Sequence, residues 1–136
     1  MAVLDTCFVI DLLKETKRDV VGRASQKFAE LVLRGEPLRI THFTIAELFV
    51  GVAKSSQPDR ERQFVENVIP QFSILAFERS TAELFGSVVG SLEAAGMTID
   101  SMDALIGCVA LERDQIIVTH NLKHFLRIPG LVVEDY

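Results

Sequence analysis

Three acidic residues sit where acids are out of place. In "VLDTCFVIDLL", residues 3–13, Asp5 stands where a short apolar run stops and a helical pattern begins. In "TIAELFVGVA", Glu47 is the only charge between Thr44 and Ala53. In "IDSMDALIGCVAL", Asp103 opens a stretch with no further charge until Glu112. A carboxylate in apolar surroundings is costly unless it is paired or metal-bound. No Lys or Arg in these stretches offers a partner. Each acid alone has a plain structural reading. Asp5 can cap a helix, Thr44-x-x-Glu47 matches a capping box, and Asp103 can be a first-turn acid capped by Asp100 or Ser101. Taken together, three acids near helix starts can meet in one pocket, where they repel unless a cation lies between them. Oxygen-only ligands favour Mg²⁺ or Mn²⁺ over zinc. Such ions activate water and stabilise charge on a phosphoryl group, which is the chemistry of phosphodiester hydrolysis.

The rest of the sequence must position these acids. Short apolar runs predict buried strands at 2–4, 38–40, 72–75, 116–119 and 131–133. Helical spacing fills the intervals. "ASQKFAELVLRG" places Phe28, Leu31 and Val32 on one face and stops at Gly35. "FTIAELFVGVA" follows the second strand. A helix from Pro58 turns Phe64, Val65, Val68 and Ile69 inward. Further helices run through "STAELFGSVVGSLEAAG" and "SMDALIGCVALERD". Strands alternating with helices imply an α/β sandwich around a central, mainly parallel sheet of about five short strands. Ligands of such sheets bind beyond the carboxyl ends of the strands, where Asp5 falls. The 136 residues are expected to form a single domain, 1–136.

Composition narrows the classes. No apolar run reaches the roughly 18 residues of a membrane span, and no signal peptide is visible. Cys7 and Cys108 sit in apolar stretches without a C-x-x-C, and both are read as reduced core residues of a cytoplasmic protein. The formal net charge of −5 argues against a nucleic-acid ligand when taken alone. Bound divalent ions would offset part of it. Basic residues are grouped locally, and Lys14, Lys17 and Arg18, read as following the first helix, can border the acidic site. His120 and His124 have the i, i+4 spacing of a zinc pair but lack a third ligand of that kind.

The order of "VLDTCFVIDLL", "THFTIAELFVGVA", "TIDSMDALIGCVAL" and "IIVTHNLKHFLRIPGLVV" resembles the PIN-domain ribonucleases, specifically the VapC-type toxins of bacterial toxin–antitoxin pairs. The resemblance runs over residues 2–133. It implies a PIN-like α/β/α sandwich and a metal-dependent endoribonuclease that inhibits translation when released. Asp5, Glu47 and Asp103 take the places of the family's metal-binding acids, with Mg²⁺ or Mn²⁺ as cofactor. Thr6 and Thr119 take the places of hydroxyl residues that support those acids. Cys7 stands where the family often has Asn. Asn121 and His124 occupy the segment that often carries a fourth acid, and Asn121 is read as a neutral oxygen ligand or the holder of a water. One fewer negative charge predicts one tightly held ion, with a second arriving with RNA. The implied partners are an RNA substrate (tRNA, rRNA or mRNA), a VapB-like antitoxin that sets a basic side chain among the acids, and a second copy in a homodimer.

Other classes fit less well. A receiver-type signalling domain needs an acid pair after the first strand and a Lys after the last, and neither is present. A dehalogenase-type phosphatase needs Asp where Cys7 stands. The remaining alternative is a catalytically weak PIN-fold binding or dimerisation module.

Overall fold

A computed structural model describes residues 1–136. Five short strands build one parallel sheet: β1 (Ala2–Leu4), β2 (Leu38–Thr41), β3 (Ser73–Leu75), β4 (Ile116–Val118) and β5 (Val133–Glu134), in the order β3-β2-β1-β4-β5. The helices are α1 (Thr6–Arg18), α2 (Arg23–Leu33), α3 (His42–Lys54), α4 (Pro58–Val68), α5 (Arg79–Ala94), α6 (Ser101–Glu112) and the short α7 (Leu122–Phe125).

β1 is wholly buried, which its unbroken apolar run anticipates. Its side chains alternate between two cores. Ala2 and Leu4 join Phe8, Leu12, Leu31, Leu48, Val52 and Val65, from α1 to α4, on one face. Val3 joins Val88, Leu92, Ile106 and Phe125, from α5 to α7, on the other. The result is an α/β/α sandwich. From β1 the chain builds outward through β2 and β3, then crosses back to lay β4 against the other side of β1. The order therefore reverses between β1 and β4, and a doubly wound sheet opens a crevice at that point.

Several details depart from the sequence reading. The last strand begins at Val133 rather than Leu131, because the Leu131 N–H still bonds back to Ile128 in the turn that contains Gly130. Val32 points to solvent, and the buried stripe of α2 is Ala24, Lys27 and Leu31, spaced at i, i+3 and i+7. Lys27 buries its stem and pairs with Glu134 on β5. Lys14, Lys17 and Arg18 do not follow α1. They form its last turns, where positive charge suits the helix dipole, and the chain turns only at Asp19 in the left-handed region.

Gly107 marks a close approach. A Cβ there would collide with Ile128 Cδ1 and lie 3.4 Å from Phe125 Cδ1. The missing side chain lets the 122–131 segment settle onto α6, one turn beyond Asp103.

Candidate metal centre

Asp5 ends β1 and begins α1. It is 2 % exposed. Its Oδ1 accepts the Thr6 N–H at 2.7 Å, so it is the N-cap of α1. Its Oδ2 is held from the neighbouring strand, because Thr119, just past β4, donates its hydroxyl at 2.8 Å. The Cys7 Sγ lies 3.1 Å from the same oxygen and 3.3 Å from the Thr119 hydroxyl. Capping and site membership thus fall on different oxygens of one carboxylate.

Glu47 is not part of a capping box. Thr41 caps α3 by accepting the Thr44 N–H at 3.2 Å, which leaves Glu47 in the second turn. Its Oε1 instead accepts the Thr6 hydroxyl at 2.7 Å, and that hydroxyl lies 3.2 Å from Thr44 Oγ1. Thr6 therefore ties α3 to the start of α1.

Asp103 lies in the first turn of α6, and Asp100 is the N-cap, accepting from the Met102 and Asp103 N–H groups at 2.9 and 3.3 Å. The Asp103 Oδ2 is 2.6 Å from His124 Nδ1 and accepts from Asn121 Nδ2 at 2.8 Å. At that distance His124 donates to the carboxylate, so its Nδ1 cannot also accept from Asn121, 3.1 Å away. Asn121 turns its amide nitrogen to Asp103. Its role in this arrangement is to orient that acid, while its carbonyl oxygen stays unclaimed by Asp103.

Asp5, Glu47 and Asp103 line one open cleft with Thr6, Cys7, Ile10, His120 and Asn121. Burial, foremost, and then the negative charges of Asp5, Asp103 and Asp100 hold Glu47 above the ordinary carboxylate range, against the pull of Thr6. Asp103 is raised by burial, with Asp5 and Asp100 adding to it and His124 opposing. Cys7 is pushed up to about 11 by burial and by the Asp5 charge. It is a neutral thiol of the site rather than the core residue that the sequence suggests; Cys108 is buried, and both thiols are free.

The donor set suits a hard divalent ion: three carboxylates, hydroxyls and an amide oxygen, with Glu47 and Asp103 raised first by burial and then by the neighbouring carboxylates. No three His, Cys, Asp or Glu side chains stand close enough together to hold an ion as they are. Each acid is held by a neighbour, Asp5 by Thr119, Glu47 by Thr6 and Asp103 by His124. The histidines do not form a zinc pair, since His120 bonds to Tyr136 at 2.7 Å and His124 to Asp103. Sequence reading does not find His124 and Cys7 as contacts of the acids. Their positions, four residues after His120 and two residues after Asp5, are the signals it offers.

The upward shifts of Glu47 and Asp103, from burial and from neighbouring charge, have a measurable consequence. Acids raised above their unfolded values bind more protons in the folded state, so stability falls as pH rises through the interval between the two values. Without divalent ions, Tm is expected to rise as pH is lowered from 7 toward about 5. Saturating Mg²⁺ should raise Tm most at pH 7 and flatten the profile. A metal-free Tm that falls as pH is lowered over that interval, or an identical profile in Glu47→Gln/Asp103→Asn, would contradict the electrostatic account.

A parallel α/β/α sandwich with acids converging at the sheet's switch point defines a hydrolase-like acidic centre. Comparison with known proteins makes this specific. Residues 2–131 match the PIN domain family. The tRNA(fMet)-specific endonuclease VapC of Salmonella typhimurium is 33% identical over 97 residues, 71% of this chain and 74% of that one. Ribonuclease VapC2 of Haemophilus influenzae is 28% identical over 98% of this chain and 96% of its own. Among solved structures, DNA-bound VapBC from Salmonella typhimurium superposes with a TM-score of 0.86 at 28% identity, covering 98% and 96% of the two chains. VapBC2 from Rickettsia felis, at 24% identity and a TM-score of 0.87, shows the same fold. The chain belongs to the PIN-domain family, among its VapC-type ribonucleases.

Proposed function

We propose that Asp5, Glu47 and Asp103 hold Mg²⁺ or Mn²⁺ and that residues 1–136 act as one PIN domain that cleaves RNA. The observation that carries this reading is the convergence of three acids, from three separate elements, on one cleft beyond β1 and β4. PIN nucleases are in general metal-dependent. The bound ion would supply Lewis-acid stabilisation and an activated water. The chain's own residues do the positioning. Thr119 and the Thr6 N–H fix both oxygens of Asp5, Thr6 fixes Glu47, and Asn121 and His124 fix Asp103. His124, donating to Asp103, steadies that carboxylate in its charged form.

The relatives' names suggest tRNA, and related complexes pair VapC with VapB. The proposed role is therefore the toxin of a toxin–antitoxin pair, restrained by a VapB-like partner and acting on cytoplasmic RNA, with two copies forming the working unit. No helix is long and apolar enough to cross a membrane. An Arg fork from the partner would satisfy the cleft's carboxylates by charge-assisted hydrogen bonds.

The test combines two assays. Purified protein should cut RNA in Mg²⁺ or Mn²⁺ and stop in EDTA. Sequencing RNA ends after brief induction in cells should then show new 5′ ends at defined sites. RNA left intact in both assays would leave the binding-module alternative standing.

A further inference from the structure

Beside the acidic cleft lies a second pocket, lined by Asp11, Lys14, Glu15, Arg18, Arg23, Ala24, His120 and Tyr136. His120 belongs to both. The shared wall is α1. Cys7 and Ile10 face the cleft, and Asp11, Lys14 and Arg18 continue along the helix at i+4, i+7 and i+11 from Cys7, roughly 16 Å along the axis.

The charges in this pocket are unevenly committed. Glu15 is consumed by structure: its carboxylate accepts from the N–H groups of Gly22, Ala24 and Ser25 and from the Ser25 hydroxyl. It supplies the cap that Gly22, with no side chain, cannot give to α2. Asp11 accepts the Tyr136 hydroxyl at 2.8 Å and sits 3.7 Å from Lys14. Arg18 and Arg23 make no ion pair, unlike Lys17, Lys27 and Arg34, which are held by Glu61, Glu30 and Glu134. Both arginines remain exposed and free to form forks with a phosphate. Tyr136 packs edge-on against Phe8 at 4.8 Å and bonds to His120, so His120 is fixed at the rim between the two pockets.

We propose that this pocket is a phosphate-binding subsite for the RNA strand flanking the scissile bond, with Arg18 and Arg23 as its anion ligands, Lys14 as a supporting charge and His120 at the junction. The proposal rests on the ribonuclease reading above. It gives an acidic protein a place to hold RNA: one local group of unpaired arginines, roughly 16 Å along α1 from the cleft, contacts the strand that leads into the metal centre.

The test measures binding and cleavage separately. Binding of a fluorescent single-stranded RNA is followed by anisotropy across salt concentrations in the Asp103→Asn background. Arg18→Gln/Arg23→Gln should weaken binding about tenfold or more and reduce the slope of log Kd against log salt by about 1.4, roughly 0.7 for each arginine that no longer meets a phosphate of the single strand. Arg79→Gln, which removes a side chain 92% exposed and paired only to Glu83 on α5, serves as the charge control and should leave the slope unchanged. In the active protein the double variant should raise KM for RNA with kcat within about twofold, and an unchanged Tm would show the fold intact. An unaltered slope and affinity, or an equal loss from Arg79→Gln, would overturn the subsite. Wild type that binds RNA with the expected slope but cuts none would sink the ribonuclease reading while upholding the subsite.

Discussion

Asp5→Asn, Glu47→Gln and Asp103→Asn are each expected to lower RNA cleavage by at least about 10²–10³-fold, the scale seen when one preorganised electrostatic group is removed from a reaction centre. These replacements remove charge and keep size, exchanging one acceptor oxygen for an NH2 donor, so that Thr119 must turn to accept at Asp5 and Asp103 loses one of two bonds. Asn caps a helix as well as Asp does, so Asp5→Asn keeps the Thr6 N–H satisfied. Gln at 47 can still accept from Thr6, and Asn at 103 can still accept one bond from Asn121 or His124. The fold should therefore persist, and relief of repulsion should leave the metal-free Tm equal or higher. A purely capping role for Asp5 forecasts instead that Asp5→Asn leaves both stability and activity unchanged, because Asn keeps the cap. Rates in Mg²⁺ and Mn²⁺ beside thermal melts in EDTA separate the two. An Asp103→Asn protein with wild-type turnover would remove Asp103 from the centre.

The second large effect is expected at Phe125. This ring is fully buried in the core between the sheet and the α5–α7 face. It lies over Gly107, where no side chain intervenes. Phe125→Ala should cost about 3–5 kcal/mol, the range for emptying an aromatic site in a core. It should also loosen α7, which carries His124, and so release Asp103 from its 2.6 Å contact. Urea unfolding would show a lower midpoint at unchanged m, with cleavage falling by more than the unfolded fraction explains. Leu126→Ala, at a side chain 64% exposed, is the matched control and should stay within about 0.5 kcal/mol. A Phe125→Ala midpoint like that of the control would deny the packing role.

Much of this architecture is legible in the residues alone. The apolar runs mark four of the five strands to within one residue and the fifth to within two, and alternation with helical spacing yields the layers. The acids stand out because burial of an unpaired charge is costly, and that cost is visible in sequence. Partners are what sequence does not supply. The Thr119–Asp5 bond spans 114 positions and exists only because β4 lies beside β1. The Thr6–Glu47 bond likewise depends on α3 folding back to α1. Local rules also compete. Thr44-x-x-Glu47 has the pattern of a capping box, yet Thr41 at the strand end takes the cap one turn earlier. Cys7 looks like core because its neighbours are apolar, and α1 then turns it toward the cleft. Val32 fits the apolar stripe by spacing, but Lys27, charged yet buried along its stem, claims the inward face of α2.

The strand order has one further consequence, for the chain during its own synthesis. β1 is made long before β4, which lies more than a hundred residues later, and until then its tip lacks the Thr119 contact. Asn121 and His124 come later still. The three acids are therefore all synthesised before the partners that hold two of them, and the cleft takes its shape only once β4 and the segment after it have docked beside β1.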